Sequence, residues 1–449
     1  MKNHQNSVAR ASDVLATPFS SNLLPLIIQG IIVGFITGLI VSIFRWIIDQ
    51  TLKFLTFIYP LMATNWLLLI LYVIFTLIIV LALGEILKGH LTDLVGSGVP
   101  QIEAILMGEH SMNALQTLWR KFIGGLLAIC PGLFLGREGP CIQMGACVGQ
   151  EVADICHTPE EDRHFLLGCG VAAGLSAAFS APLAGVLFLL EEITFNFKPR
   201  SWVTALAAAC ASDFVTLLFF GTKPCLYLPI LVNLPKRSYA WLIPLGIIIG
   251  ILAFAYQYCL LSLRWLYSKV GKLPAIYHSI IPLLLVIPIG LWNAHILGGS
   301  HVFINDIANM SPKLDWSNLL FMLGLFFVIR FVFSMVSYGA SVPGGIFMPI
   351  LVLGALIGAF VAVLLIHQHL LPANCYINMV VITMAAYFGA IEEAPFTAVT
   401  LLCEMVGTVD QALPMVVLTF VAYVTSNLLG GQPIYAALRR EMRFPKAQD

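Results

Sequence analysis

The sequence predicts an all-α integral membrane protein whose helices cross a bilayer repeatedly and are broken inside it. Composition gives the first observation. Of 449 residues, 59% are hydrophobic and 10% are charged, and the mean hydropathy is +0.92. A soluble globular chain carries roughly 25% charged residues, so this chain is too apolar to cover a water-facing surface. The other two observations are a series of long apolar segments and the glycines and prolines that interrupt them.

The apolar segments are long enough to span a membrane, and short connections join them. The first runs from residue 23 to residue 43 after a polar stretch. Its length fits a membrane-spanning helix of about 20 residues, and it lacks the short apolar core and small-residue cleavage site of a secretory signal. We therefore expect a retained first membrane helix. Other clear examples are residues 66–87, 241–262, 280–297, 318–336 and 350–366.

Both termini are basic, which predicts the side of the membrane on which they lie. Because basic segments stay in the cytoplasm, we expect both termini there, with an even number of crossings between them. We expect a single membrane domain over residues 23–440, a cytoplasmic segment over 1–22 and a short cytoplasmic tail over 441–449. The basic residues concerned are Lys2, Arg10, Arg439, Arg440, Arg443 and Lys446.

Two pairs of segments indicate an internal duplication. PCIQMGACVG (140–149) aligns with PILVLGALIG (349–358) at an offset of 349 − 140 = 209. APLAGVLFLLEE (181–192) aligns with APFTAVTLLCEM (394–405) at an offset of 395 − 182 = 213. Both matches keep their order at nearly one offset, so two related halves are predicted. The alignment does not show whether the halves are parallel or inverted relative to each other.

Four polar, glycine-containing stretches stand out against the apolar background. Glycine lets a backbone turn and approach a ligand, and proline marks the first turn of a helix. Free amides at helix N-termini bind anions, and helices broken at membrane depth line cavities. The pattern therefore predicts an anion site made of helix starts, to which hydroxyl groups add neutral donors. The stretches are GSGVP (96–100), GREGP (136–140), GGIFMP (344–349) and GQPIY (431–435).

In this order, the four stretches resemble the CLC family of chloride channels and chloride/proton antiporters. The resemblance extends roughly from residue 25 to residue 440. It implies a CLC-type fold of two inverted repeats with broken and re-entrant helices, the repeat halves covering roughly 25–220 and 240–435. It also implies a homodimer with one anion pathway in each subunit. The lack of a large cytoplasmic nucleotide-binding domain after the membrane domain is typical of bacterial members, so we expect the bacterial inner membrane.

The resemblance implies which residues bind the anion. Ser97 resembles the serine whose hydroxyl contacts the anion, and Gly98 follows it in the same stretch. Tyr435 resembles the tyrosine that contacts the anion from the other side. The backbone amides of Ile346 and Phe347 resemble those that complete the site. A serine at residue 97 favours chloride, because relatives that prefer nitrate tend to have proline there.

The resemblance also implies two proton-carrying acids. Glu138 resembles the external gating glutamate, which occupies an anion position or swings out when it is protonated, while Arg137 has a structural role. Glu192 aligns with an internal glutamate that relays protons and favours secondary active chloride/proton antiport. The alternative is a passive chloride-selective channel of the same family. Glu191 aligns with Glu404 of the other half, which predicts a shared structural role.

Other function classes are not favoured. Net charge is zero, and the basic residues are scattered, so we expect no nucleic-acid partner. The ten cysteines contain no CxxC pair, and we expect no metal, no cofactor and no nucleotide. An intramembrane protease using Ser176 would need an activating histidine, and His295 is the single loose candidate. We therefore predict no enzymatic activity. We interpret Glu392 and Glu393 as a solvated turn.

Overall fold

The computed structural model describes residues 23–195, 197–230, 232–271, 273–310, 316–442 and 444. Over these ranges the chain is helical, and the β-structure consists of two isolated bridges. The predicted fold class is confirmed. The segment 1–22 and most of the tail, with the basic residues predicted to lie in them, fall outside the described residues.

The helices of the first half range from 4 to 42 residues in length. In chain order, they are α1 (Leu23–Thr64), α2 (Trp66–Leu87), α3 (Leu91–Leu94), α4 (Val99–Leu106), α5 (Ala114–Ile129), α6 (Glu138–Ile155), α7 (Glu160–Phe179), α8 (Pro182–Phe188) and α9 (Pro199–Phe220). A turn of π-helix, Leu189–Ile193, continues α8.

The helices of the second half range from 8 to 27 residues in length. In chain order, they are α10 (Leu242–Ser268), α11 (Ile280–Trp292), α12 (His301–Asn309), α13 (Trp316–Gly339), α14 (Phe347–His367), α15 (Tyr376–Glu392), α16 (Pro395–Val406), α17 (Ala412–Leu428) and α18 (Ile434–Glu441). Short 3₁₀ turns lie at Lys236–Trp241, Ala275–Tyr277, Ala294–Ile296 and Ala373–Cys375.

Eight helical segments of the described chain are long and apolar enough to cross a membrane. They differ in how much the protein itself covers them. The segment Trp66–Leu87 is 28% buried, whereas Phe347–His367 is 72% buried and Ala373–Glu392 is 89% buried. The last two segments therefore lie at the centre of the bundle, surrounded by other helices. The hydropathy prediction for residues 66–87 is confirmed.

Glycines let the central helices approach each other closely. A Cβ at Gly145 of α6 would lie 2.1 Å from the carbonyl oxygen of Gly170 of α7, which is closer than any side chain tolerates. Small residues allow this kind of backbone contact between membrane helices. The contact holds α6 firmly and so fixes the position of its N-terminus.

The two halves cap each other reciprocally. The Glu191 carboxylate accepts a hydrogen bond of 2.7 Å from the backbone N–H of Thr397, in the first turn of α16. The Glu404 carboxylate accepts one of 2.8 Å from the backbone N–H of Ala184, in the first turn of α8. Each acid thus caps a helix of the other half. The predicted shared structural role of these two glutamates is confirmed.

Candidate functional site

Three of the four glycine-containing stretches meet through their backbones. Gly136 and Gly345 exchange two hydrogen bonds, of 2.7 and 2.8 Å. Gly96 donates to the Val342 carbonyl and accepts from the Gly344 amide, both at 3.0 Å. The loops that precede α4, α6 and α14 are therefore tied together. Their following helix N-termini come together inside the bundle.

These three helices begin without a cap from their own N-cap side chain. The N-cap residues are Gly98, Arg137 and Ile346, and none of their side chains accepts a hydrogen bond from the first turn. Gly98 has a φ of +90°, which favours glycine. The amides and the positive ends of three helix dipoles thus face one region. The prolines predicted to mark helix starts lie in these first turns: Pro100, Pro140 and Pro349.

Ser97 lies where the first two stretches touch. Its hydroxyl oxygen accepts a hydrogen bond of 3.3 Å from the Val99 amide, so its own proton remains available to a ligand. A Cβ on Gly139 would lie 2.6 Å from the Ser97 Cβ, so the start of α6 packs directly against this serine. The Tyr338 hydroxyl interacts with both the side chain and the backbone of Ser97. Nothing in the local sequence around Tyr338 predicted this contact.

A buried lysine holds the Ser97 loop in place. The Lys121 ammonium group donates to the Gly96 carbonyl at 2.8 Å and to the Leu94 carbonyl at 2.9 Å. Lys121 is fully buried. Its hydrogen bonds go to backbone carbonyls of the loop, so Lys121 holds the loop that carries Ser97.

Phe347 and Tyr435 meet through a chain of aromatic rings. The Phe188 ring centroid lies 6.0 Å from that of Phe347 and 6.3 Å from that of Tyr435. Tyr435, the second residue of α18, is fully buried, and its hydroxyl has no hydrogen-bond partner among the described residues. Electrostatically it interacts with Tyr338, which contacts Ser97. The structure therefore brings the predicted anion-binding residues together.

Glu138 lies at the start of two helices at once. It is the first residue of α6 and has no exposed surface. Its carboxylate faces its own backbone amide and that of Met348 in the first turn of α14, although neither amide forms a hydrogen bond of ordinary geometry with it. A Cβ on Gly136 would lie 2.3 Å from its Oε2 atom. The carboxylate thus occupies a place that only a glycine at residue 136 leaves open.

Arg137 is bound elsewhere, as its predicted structural role requires. Its guanidinium group forms an ion pair of 2.5 Å with Asp49 and contacts the Nε2 atom of His301 at 3.1 Å. The nearest Glu138 oxygen is 4.0 Å from Arg137 and 3.8 Å from His301. A small pocket beside the carboxylate is lined by Asp49, Ser300 and His301 as well as by Glu138. These outer residues come from distant segments, and no sequence pattern linked them to Glu138.

Glu192 lies in the π-helical turn after α8. Single turns of π-helix are rare in proteins, and those that occur often lie at functional sites. The side chain is 2% exposed, and its Oε1 atom has no hydrogen-bond partner among the described residues. The neighbouring Glu191 points the other way to cap α16. The two adjacent acids therefore have separate environments: Glu191 is hydrogen-bonded to α16, and Glu192 has a carboxylate oxygen without a partner among the described residues.

The prediction of a solvated turn is wrong for Glu392. Its side chain has no exposed surface and interacts with the Tyr435 hydroxyl, while Glu393 is half-buried in a left-handed conformation with φ of 58°. The repeat offset of 213 contains the missed signal: 392 − 213 = 179, and 393 − 213 = 180. Phe179 is fully buried, and Ser180 is also left-handed, with φ of 55°.

The serine of the protease alternative packs against a helix. The Ser176 hydroxyl is fully buried and donates to the Ala209 carbonyl at 2.8 Å. His295 forms a surface pair of 3.0 Å with Asp306. The serine and the histidine each have another partner, so no nucleophile–base pair forms between them.

A bundle of apolar helices with buried helix starts, and with interior carboxylates that lack hydrogen bonds among the described residues, defines an integral membrane protein built around an interior polar site. The family model described as voltage gated chloride channel matches residues 79–427. The chain belongs to this CLC family.

Individual relatives agree with this assignment. The chain is 33% identical over 371 residues to a protein named H(+)/Cl(-) exchange transporter ClcA of Vibrio cholerae serotype O1 (strain M66-2), covering 79% of this chain and 76% of the relative. It is 28% identical over 463 residues to a protein of the same name from Klebsiella pneumoniae (strain 342), covering 97% and 93%.

Solved structures have the same fold. A slow cyanobacterial Cl-/H+ antiporter aligns with a TM-score of 0.85 and 27% identity, over 93% of this chain and 97% of the other. A CLC-type fluoride/proton antiporter aligns with a TM-score of 0.72 over 91% and 97%, and at 20% identity it shows the fold alone.

Proposed function

We propose that the protein is a secondary active chloride/proton antiporter, in which an anion binds at helix N-termini and a protonatable glutamate controls access. The names of the relatives support exchange of these two ions. The observation that carries the proposal is the position of Glu138. A carboxylate buried at two helix starts stands where an anion would be favoured, without a direct hydrogen bond to a cation.

The anion site consists of neutral donors and backbone amides. Ser97 and Tyr435 offer hydroxyl protons, and Gly98, Ile346 and Phe347 contribute the amides of helix starts. Such donors hold chloride without a full opposite charge, so the ion can both enter and leave. We propose that no cofactor, metal or nucleotide takes part.

Glu138 couples the two ions by competition. As a carboxylate it fills the outer anion position. When it accepts a proton it loses its charge and its attraction to the helix starts, and chloride takes the vacated position. Glu192 exchanges protons with the cytoplasmic side. Its burial and its free Oε1 atom support this role, because a buried polar atom without a partner is uncommon in a purely structural acid.

Proton movement driven by chloride tests this proposal. Purified protein in liposomes with an outward chloride gradient is expected to move protons against their own gradient, as followed by a pH electrode. Chloride flux with proton movement at background would contradict antiport and leave the passive chloride-selective channel.

The inner acid can be tested in the same assay. Glu192→Gln is expected to reduce proton flux to background and to spare chloride flux, because an amide cannot carry the proton. Glu85→Gln is the matched control, since Glu85 is two-thirds exposed and pairs with Lys88 at the surface. Coupled protons that persist in Glu192→Gln would remove Glu192 from the path.

We further propose that the protein is a homodimer in the bacterial inner membrane with both termini in the cytoplasm. The bacterial origin of the relatives supports the membrane assignment. Cross-linking in native membranes, and protease accessibility of tags at each end, test the dimer and the topology.

A further inference from the structure

Glu392 is a buried acid to which the proposed function gives no task. It is the last residue of α15, and its side chain has no exposed surface. Neither of its carboxylate oxygens has a hydrogen-bond partner of ordinary geometry, and no described residue forms an ion pair with it. Burying a carboxyl group in this way is costly, so its presence calls for a reason other than stability.

Other acids in the interior of the described chain have amide or cation partners. Glu191 and Glu404 accept hydrogen bonds from backbone amides, and Glu103 lies 3.3 Å from the Arg439 guanidinium group. Buried charges that serve the fold are normally paired in this manner. Glu392 and Glu192 differ from these acids, because each has a buried carboxylate oxygen without a hydrogen bond and neither forms an ion pair with a described residue. Glu138 also lacks hydrogen bonds, but it lies 4.0 Å from the Arg137 guanidinium group.

The surroundings of Glu392 connect it to both the anion site and the inner acid. Its carboxyl group interacts with the Tyr435 hydroxyl and with Glu103. Among the charged neighbours of Glu192, Glu392 is the one with the strongest interaction. Tyr435 also interacts with Glu192, but less strongly than with Glu392. Glu192, Glu392 and Tyr435 are therefore close enough to interact, and Glu392 interacts with both of the others.

The remaining groups that face Glu392 are acids and phenols. The Tyr256 and Tyr338 hydroxyls interact with it from α10 and α13, and Glu191 and Glu393 interact with its partner Glu192. Two carboxyl groups in such a site can hold one proton between them, because like charges side by side in a water-poor region are unfavourable.

We propose that Glu392 is a second internal proton carrier, which takes the proton from Glu192 and presents it beside Tyr435 at the anion site. One proton leaves a Glu192 oxygen and binds a Glu392 oxygen, and the negative charge returns to Glu192. This inference rests on the proposed antiport and adds a residue to it.

The position of Glu392 also couples the proton to the anion. A negative Glu392 next to Tyr435 repels chloride from that hydroxyl, and a protonated one does not. Chloride at Tyr435 and a proton on Glu392 therefore favour each other, and the coupling is reciprocal. A conductive pathway without proton exchange would gain nothing from an acid at this place.

Three variants in the liposome assay test the inference. Glu392→Gln keeps the size and polarity of the side chain but cannot carry the proton, and it is expected to lower proton flux at least about tenfold while chloride flux stays within about twofold. Glu392→Asp keeps the carboxyl group and is expected to retain part of the proton flux. Glu393→Gln, at the adjacent half-buried acid, is the matched control and should couple like the unchanged protein.

Calorimetric chloride binding separates this role from a structural one. Removal of the negative charge predicts that Glu392→Gln binds chloride as tightly as the unchanged protein or more tightly. Loss of chloride binding and of both fluxes would instead identify a structural residue and overturn the inference, as would normal proton coupling in Glu392→Gln. If the unchanged protein moves no protons, the proposed function itself fails, and that result is distinct from a failure confined to this variant.

Discussion

Five helix N-termini of the described chain fall into two groups that differ in how their first amides are bound. Helices α8 and α16 begin at Pro182 and Pro395, and an acid of the opposite half accepts their first amides. Helices α4, α6 and α14 also begin with a proline in the first turn, but no described acid forms a hydrogen bond of ordinary geometry with their first amides. Both groups have the same local sequence signal of small residues and proline.

The comparison shows that the first amides of these helices are either capped by an acid of the opposite half or left without such a cap. Where a carboxylate is fixed by two amides, as at Glu404 and Glu191, the positive end of the helix is satisfied and the acid serves the fold. At α6 and α14 the nearest carboxylate, Glu138, faces the amides without forming hydrogen bonds to them. An acid held this loosely can be replaced by an anion.

The largest effect is expected from Glu138→Gln, which converts the acid at the starts of α6 and α14 into a neutral group. Proton flux should fall to background, at least about tenfold, while chloride flux continues because no charged group competes for the helix starts. The measurement is the pair of ion fluxes from liposomes, with Glu85→Gln as control. Proton coupling that survives in Glu138→Gln would show that Glu138 does not carry the coupled proton, and the proposed difference from the capped starts of α8 and α16 would be lost.

A smaller effect is expected from Gly136→Ala, which leaves the acid in place but crowds it. The added Cβ would lie 2.3 Å from the Glu138 Oε2 atom and 3.1 Å from the Met348 amide nitrogen. The carboxylate is the part that can move, so it should leave the helix starts more often. We expect a lower ratio of proton to chloride flux with chloride flux retained. An unchanged ratio would mean that the carboxylate does not use this position during transport.

Ser97→Pro should alter anion choice more than rate. Proline removes the hydroxyl proton that Ser97 keeps available while its oxygen accepts from Val99. By resemblance to relatives with proline here, preference should shift from chloride towards nitrate, and competition between the two anions in flux assays measures it. An unchanged order of anions would place Ser97 outside the anion site.

The smallest effect on transport is expected where the helix starts are capped. Glu404→Ala removes two hydrogen bonds from α8 and should cost about 1–2 kcal/mol of stability, seen as a lower midpoint of thermal unfolding in detergent. Glu191→Ala should behave alike at α16. Both should keep the ratio of proton to chloride flux. A changed flux ratio at unchanged stability would show that the capping acids also take part in transport, which contradicts the division into two groups.

Part of this arrangement could be predicted from the sequence because it depends on local chemistry. Hydropathy marks residues 66–87 as a helix, and glycine with proline marks where helices begin. The prediction that Ser97, Glu138 and Tyr435 are site residues rests on resemblance in motifs. The reciprocal capping followed in part from the duplication, because aligned acids suggested a common role.

The rest depended on contacts between distant segments. Asp49 and His301 reach Arg137 from 88 and 164 residues away along the chain, and no local pattern links them. The prediction of a solvated turn fails at Glu392 because it assumes that two adjacent acids at the end of a helix face water. Its burial is set by the packing of α15 at the centre of the bundle, where the other half has Phe179.

Anomalous diffraction from bromide tests the central claim most directly, because bromide replaces chloride and is located without reference to transport. In crystals of the unchanged protein we predict bromide beside Ser97, Phe347 and Tyr435. In Glu138→Gln we predict a further bromide at the start of α6, where the carboxylate lies. No bromide should bind at the starts of α8 and α16. Bromide at those capped starts, or its absence from the start of α6 in Glu138→Gln, would contradict the account.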